Sequence, residues 1–236
     1  MSESLFRATH RVYCEKGFRA VSAVALKKLL EPIAQVGSVY FLERDLSEPM
    51  PQLRPVPGIV AREGTLSDIA LLDETTDATK RKLLATERLE KGDRWFLAVE
   101  DRTGRLTNYR WVSTTTAFIP ELDRELIVAP GEAYFYDLET LPEFRRRGIE
   151  AVTRQYAYDF LFRECAMNRV IVYICADNNA SLNAARRYLT PIRRVWYART
   201  TRGVHVFMHR SHRMPLLRPK SMPVNVGTRQ STCTTK

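Results

Sequence analysis

Apolar side chains recur at helical spacing through residues 4–30, at Leu5, Phe6, Val12, Tyr13, Phe18, Val21, Leu26, Leu29 and Leu30. Arg7, Arg11, Lys16, Arg19, Lys27 and Lys28 fill the positions between them. This pattern predicts one or two basic amphipathic helices. A short apolar run, Val39-Tyr40-Phe41-Leu42, predicts a strand. Four prolines between Ser47 and Pro57 mark a linker.

Beyond the linker the periodicity changes repeatedly between two and about 3.6 residues. Ile59–Arg62 reads as a strand, and Thr65-Leu66-Ser67-Asp68 has the capping-box form that opens a helix. A second helix is expected from Asp77 to about Glu90. Strands are expected at Arg94–Val99 and Tyr109–Phe118, joined through the turn signal Asp101-Arg102-Thr103-Gly104. Glu132–Leu141 reads as a third long strand, Arg147–Ala166 as a helix, Val170–Ala176 as a buried strand and Ala180–Leu189 as a helix. Val195–Thr200 and Val204–His209 flank Thr201-Arg202-Gly203, a hairpin signal. From Ser211 onward no periodicity remains, and disorder is expected. The order predicts a mixed α/β (α+β) sheet, antiparallel in its front half, with a parallel crossover from Arg147 back to Val170. The expected division is a basic extension at 1–50, a domain at 57–210 and a basic tail at 211–236.

A formal net charge of +10 over 236 residues favours polyanionic ligands without choosing among them. The cysteines Cys14, Cys165, Cys175 and Cys233 show no metal-ligand spacing, and Cys165 and Cys175 read as buried thiols. His10, His205, His209 and His212 are dispersed, so no metal site is expected. No run reaches the roughly 18 apolar residues of a spanning helix, and no secretory leader pattern opens the chain, which predicts a cytoplasmic protein. Nucleic-acid recognition motifs are absent, so no sequence-specific nucleic-acid binding is expected.

The most informative stretch runs from Leu138 to Glu150. An apolar strand ends at Pro142, the basic loop Arg145-Arg146-Arg147-Gly148 follows, and an amphipathic helix begins. Such a loop aims main-chain N–H groups and the positive end of a helix dipole at one small volume. A diphosphate suits that volume.

These residues resemble the GNAT N-acetyltransferase superfamily over roughly residues 57–210. The family's loop pattern, Arg/Gln-x-x-Gly-x-Gly/Ala after a strand ending in proline, stands here as Arg145-Arg146-Arg147-Gly148-Ile149-Glu150. The family's asparagine after the next strand stands as Asn178, followed by Asn179-Ala180-Ser181-Leu182. The resemblance implies the GNAT acyl-CoA N-acyltransferase fold, here with an N-terminal helical extension. It implies acetyl-CoA as acyl donor, with Leu138, Glu139 and Thr140 pairing with its pantetheine arm and Asn178 bonding that arm. Arg145, Arg146, Arg147, Gly148, Ile149 and Glu150 would wrap its diphosphate through the main chain, between two strands that splay apart.

Two positions depart from the family pattern. Glu150 replaces the usual small residue, and a carboxylate beside a diphosphate must turn away or pair with an arginine such as Arg146 or Arg154. The tyrosine that many members place seven residues after the asparagine, as acid for the departing thiolate, is Ala185 here. Tyr188, one helical turn onward, is the substitute, with Tyr197 the weaker one. Glu132, on the face of Tyr134 and Tyr136 by strand alternation, is the candidate general base. The expected function is transfer of an acetyl group to a primary amine of unspecified identity. The alternative is a catalytically weak GNAT-fold scaffold lying against a membrane through residues 1–30, at the inner face. Homodimerisation is left open.

Overall fold

The computed structural model describes residues 34–49, 55–208 and 213–219. The amphipathic pattern of residues 4–30, and the membrane contact that the alternative reading places there, lie outside the described residues. Strands β1 (Gln35–Asp45), β2 (Ile59–Gly64), β3 (Arg94–Glu100), β4 (Leu106–Ser113), β7 (Glu132–Thr140), β8 (Arg169–Cys175), β9 (Thr190–Thr200) and β10 (Gly203–Phe207) form one sheet. Its order is β10-β9-β1-β8-β7-β4-β3-β2. Among the described residues β7 and β8 are its parallel pair, as the crossover through helix α2 (Ile149–Cys165) requires.

The expected capping box is present. Asp68 Oδ2 accepts from Thr65 N at 2.9 Å, and Arg62 joins the same carboxylate, drawing its pKa down to about 2. The turn it opens is a 3₁₀ helix, Leu66–Glu74, followed by α1 (Ala78–Glu90). All eight residues of β4 are buried, because α2 covers one face of the sheet and other elements cover the opposite one. Two of its polar side chains donate to main-chain carbonyls: Thr107 Oγ1 to that of Ala98 at 2.8 Å, and Ser113 Oγ to that of Thr116 at 2.9 Å.

Four expectations need correction. The strand at Val39–Leu42 belongs to the large sheet rather than to an extension before the domain: β1 lies between β8 and β9, antiparallel to both, with Val39, Phe41 and Leu42 fully buried. Gly37 lets the Tyr197 ring lie across β1, where a Cβ would collide with it. The run Tyr109–Phe118 is not one strand. The main chain leaves the large sheet after Ser113, and β5 (Thr116–Ile119) pairs with β6 (Arg124–Ile127) in a second sheet. The tail expected to be without structure contributes β11 (Leu216–Pro219) to that sheet, in the order β11-β6-β5, with half-buried Leu217 packed on its core side. The last helix is shorter than expected: α3 spans Asn179–Ala185, and a turn leads from it to β9 at Thr190.

Burial of β1 makes a direct prediction. Phe41→Ala should cost about 3–5 kcal/mol in unfolding free energy, read as a lower guanidinium midpoint, whereas an extension merely resting on the domain would lose far less.

Candidate functional site

Register pairing of β7 with β8 runs from Glu132↔Arg169 to Phe135↔Val172 and then stops. Beyond that point Tyr136–Thr140 and Tyr173–Cys175 form the two walls of a cleft of about 920 Å³. A β-bulge coincides with the parting: Tyr109 faces Glu139 while Trp111 faces Tyr136, so β7 holds one residue more than β4 there. Asp137 adopts a left-handed conformation at φ 44° and is held by Arg88 at 2.5 Å. Bulges of this kind bend a strand and increase its local twist.

The loop stands at one end of the cleft. Leu141 and Phe144 are buried anchors, and Pro142 starts a short 3₁₀ turn between them. Arg146 at φ 62° and Gly148 at φ 78° both adopt left-handed backbone. That conformation explains the glycine: its Cβ would meet only Val56 at 3.7 Å, so protein packing does not demand it. Gly148 also forms the N-cap of α2, whose first N–H groups have no intrahelical acceptor. Arg145, Arg146 and Glu150 line the cleft. Arg147 instead lies over the Phe144 ring at 5.4 Å, and Ile149 is buried in the core.

Glu150 does not face the cleft as a free charge. Arg110 Nη2 reaches its Oε1 at 2.7 Å, and Arg154 Nη1 reaches its Oε2 at 2.5 Å. Burial pushes the Glu150 carboxyl upward, but the two guanidiniums outweigh it and hold the pKa below the ordinary value. Arg110 lies on β4 and is almost wholly buried, and nothing in its local sequence marked it. The triad keeps a positive excess under the first turn of α2.

On the strand side, Glu139 is engaged by Arg81 at 2.5 Å and accepts from the Tyr109 hydroxyl at 3.0 Å. Asn108 Nδ2 donates to the Glu139 carbonyl and to Thr140 Oγ1, both at 2.8 Å, and Arg145 Nε donates to the Thr140 carbonyl at 3.0 Å. These bonds fix the strand end, while Leu138 remains about half exposed on the cleft wall. Across the gap, Asn178 lines the cleft and caps α3, its Oδ1 accepting from Ser181 N at 3.1 Å.

The two expected catalytic residues are not brought together. Tyr188 lines the cleft, its ring under the Arg154 guanidinium at 3.5 Å, and burial followed by the nearby Glu150 charge raises its pKa. Ala185, at the position where many family members have tyrosine, lines the cleft as well. Glu132 stands at the first residue of β7, before the strands part, and does not line the cleft. Its carboxylate is bound to Arg169 at 2.5 Å, which also binds Glu43 of β1. Glu132 thus belongs to an ion-pair network that ties three strands together below the parting. Tyr197 lies across Gly37 on β1, away from the cleft lining. Cys165 and Cys175 are free and half-buried rather than fully buried. Among the described residues no cluster of side chains could hold a metal ion, and no helix is long and apolar enough to cross a membrane.

The mixed sheet, its parallel pair, the parting of that pair and the glycine loop at the head of α2 stand where the resemblance noted in the sequence leads one to expect them. No protein-family model matches the chain, and no curated protein does. Similar solved structures include a functionally unknown conserved protein from Staphylococcus epidermidis, at 12% identity over 74% of this chain and 66% of that one, TM-score 0.47. Others are a GCN5-related N-acetyltransferase from Sphaerobacter thermophilus (17% identity, 78% and 57% covered, TM-score 0.49) and one from Kribbella flavida (15%, 81% and 63%, TM-score 0.46). The chain thus spans less than two thirds of the length of each of these three proteins. With these TM-scores below 0.5, the likeness is a loose overlap of chain course and says nothing of substrate or partner.

The triad sets a pH-dependent prediction. The Glu150 pKa is lower folded than unfolded, so its stabilisation is complete above the ordinary carboxylate pKa and is lost as pH falls through the folded value. Glu150→Gln should therefore cost about 3 kcal/mol at neutral pH by leaving buried guanidinium charge unpaired. The difference from wild type should narrow in acid, as followed by denaturant unfolding at several pH values.

Proposed function

We propose that this chain is a GNAT-type N-acyltransferase that moves an acetyl group from acetyl-CoA to a primary amine. The observation that carries this reading is the cessation of β7–β8 pairing at Phe135↔Val172 beside a loop that presents main-chain N–H groups. A sheet interior does not normally leave paired-strand edges open, because unpaired main-chain groups are costly when buried. Here an extended ligand can supply the missing partners.

The residues present fit such a ligand. Arg145 and Arg146 are exposed at the cleft, Gly148 keeps the loop low, and Glu150 is already neutralised by Arg110 and Arg154. Acetyl-CoA supplies the activated acyl group when bound. Leu138, Glu139 and Thr140 would orient it along β7, with Asn178 holding it from the opposite wall. Main-chain N–H groups from Arg146 to Glu150 and the α2 dipole would bind its diphosphate. Main-chain N–H groups of β7 at the bulge would stabilise charge on the acyl oxygen. Tyr188, kept protonated by burial, would give its hydroxyl proton to the departing sulfur. Rate enhancement would come mainly from orientation in the cleft.

The test is direct. Gly148→Val must place a branched side chain at φ 78°, a strain of about 1–3 kcal/mol, and would block the approach of a diphosphate. Calorimetry should show CoA affinity falling by roughly ten- to a hundredfold or more. A wild-type protein that gives no heat with CoA at millimolar concentration overturns the reading.

A further inference from the structure

Past the cleft the sheet continues into β1, β9 and β10, and the face it turns toward α3 is only partly covered there. Leu182 and Ala185 of α3 pack with Leu42, Val172 and Ile174. Register carries the same face outward: Tyr40 lies opposite Ile174 and Arg194, Ser38 opposite Trp196, and Trp196 opposite Phe207. The alternate residues Val195, Tyr197 and Val206 belong to the core on the other face. Beyond α3, Trp196 is 45% exposed and Phe207 60% exposed. Phe207 has no ring or cation partner among the described residues.

Charge on this face is unbalanced. The Arg194 guanidinium lies over the Trp196 ring at 3.9 Å and the Tyr40 ring at 5.2 Å, and its Nε donates to Ser38 Oγ at 3.0 Å. Arg186, at the C-terminus of α3, lies over Tyr40 at 5.5 Å. Both arginines are exposed. Arg110 and Arg154 share a carboxylate, but among the described residues neither Arg186 nor Arg194 has one within ion-pair distance. A guanidinium resting on a ring keeps its N–H edge for an anion, and that planar fork of donors matches phosphate. Ring contacts also restrain the side chain, so less freedom is lost when an anion binds.

Rings and guanidiniums thus alternate across three neighbouring strands. Side chains directly opposed on antiparallel strands lie about 4.5–5.5 Å apart, so Trp196 and Phe207 offer adjacent platforms to consecutive bases. Base stacking on such rings tolerates any sequence, because every base has a π-face. A duplex keeps its bases stacked inside and presents none to them. The face is also a floor beside α3 rather than a protruding tip. A thin, flexible polyanion reaches it, whereas a flat bilayer meets the helix first.

We propose that this face binds single-stranded nucleic acid without sequence preference, its bases on Trp196 and Phe207 and its phosphates on Arg194 and Arg186. The surface lies across α3 from the cleft and stands independently of the acyltransferase reading. Fluorescein-labelled oligothymidylate, alone and annealed to oligoadenylate, is titrated by anisotropy into the full chain and into Trp196→Ala and Phe207→Ala. Circular dichroism confirms each fold, and CoA, inorganic polyphosphate and phosphatidylserine vesicles are titrated in parallel. The single strand should bind wild type about tenfold tighter than either variant, and about tenfold tighter than the duplex binds wild type. Of the three tryptophans, Trp95 and Trp111 are buried. Unlabelled oligothymidylate should therefore quench wild-type tryptophan emission and leave that of Trp196→Ala unchanged. CoA affinity should stay within about twofold of wild type in both variants. Equal single-strand binding by wild type and the folded variants overturns the proposal, as does polyphosphate binding as tight as that of the oligonucleotide. Vesicles that shift Trp196 emission where oligothymidylate does not would give the face to a membrane and overturn it too.

Discussion

The structure turns on a failure of two neighbouring strands to stay paired. Parallel strands buried between layers normally hydrogen-bond along their whole length, since each open N–H or C=O in the interior is a free-energy loss. β7 and β8 hold register for four residue pairs and then separate, at the place where an extra residue in β7 bends it against β4. The bulge is stabilised from outside the cleft: Arg88 reaches Asp137 and lies over the rings of Trp111 and Tyr136. The opening is thus supported by packing on the far side of the strand, and the glycine loop, the asparagine cap and the tyrosine walls all take their meaning from it.

Charge around the opening is arranged in layers. Exposed Arg145 and Arg146 provide a screened, adjustable positive field, whereas Arg110 and Arg154 are locked by packing and by one shared carboxylate. Fixed charges in a partly buried site need no reorganisation when a ligand arrives, so they act more strongly than mobile surface arginines. The carboxylate that looks unfavourable in the loop motif is a structural counter-ion for this inner pair. Its removal would disturb the floor of the site rather than relieve it.

Local patterns made most elements legible, because alternation, capping and turn chemistry act within a few residues. The capping box at Thr65 and Asp68 and the loop around Gly148 are examples. What could not be read depended on partners distant in sequence. Glu150 meets Arg110 across 40 positions, and no periodicity announces that β4 would turn an arginine inward. Glu132 shares the parity of Tyr134 and Tyr136, but parity fixes a face and not a position along the strand; Arg169 and Glu43 decided its role. The first strand of the Thr116–Ile127 hairpin reads as part of its neighbour because only two residues separate β5 from the end of β4.

The position of β1 has a consequence for how the molecule comes into being. The strand is synthesised before both of its neighbours, β8 and β9, and finds them only after residues 169–199 have followed. One wall of the cleft consequently closes late, through contacts of very long sequence separation, and loop-closure entropy must be overcome before any of them forms. Until then β8 presents an unprotected edge, the kind of surface that invites pairing with another chain. A nascent polypeptide of this design gains its cleft and its protection from aggregation in the same event.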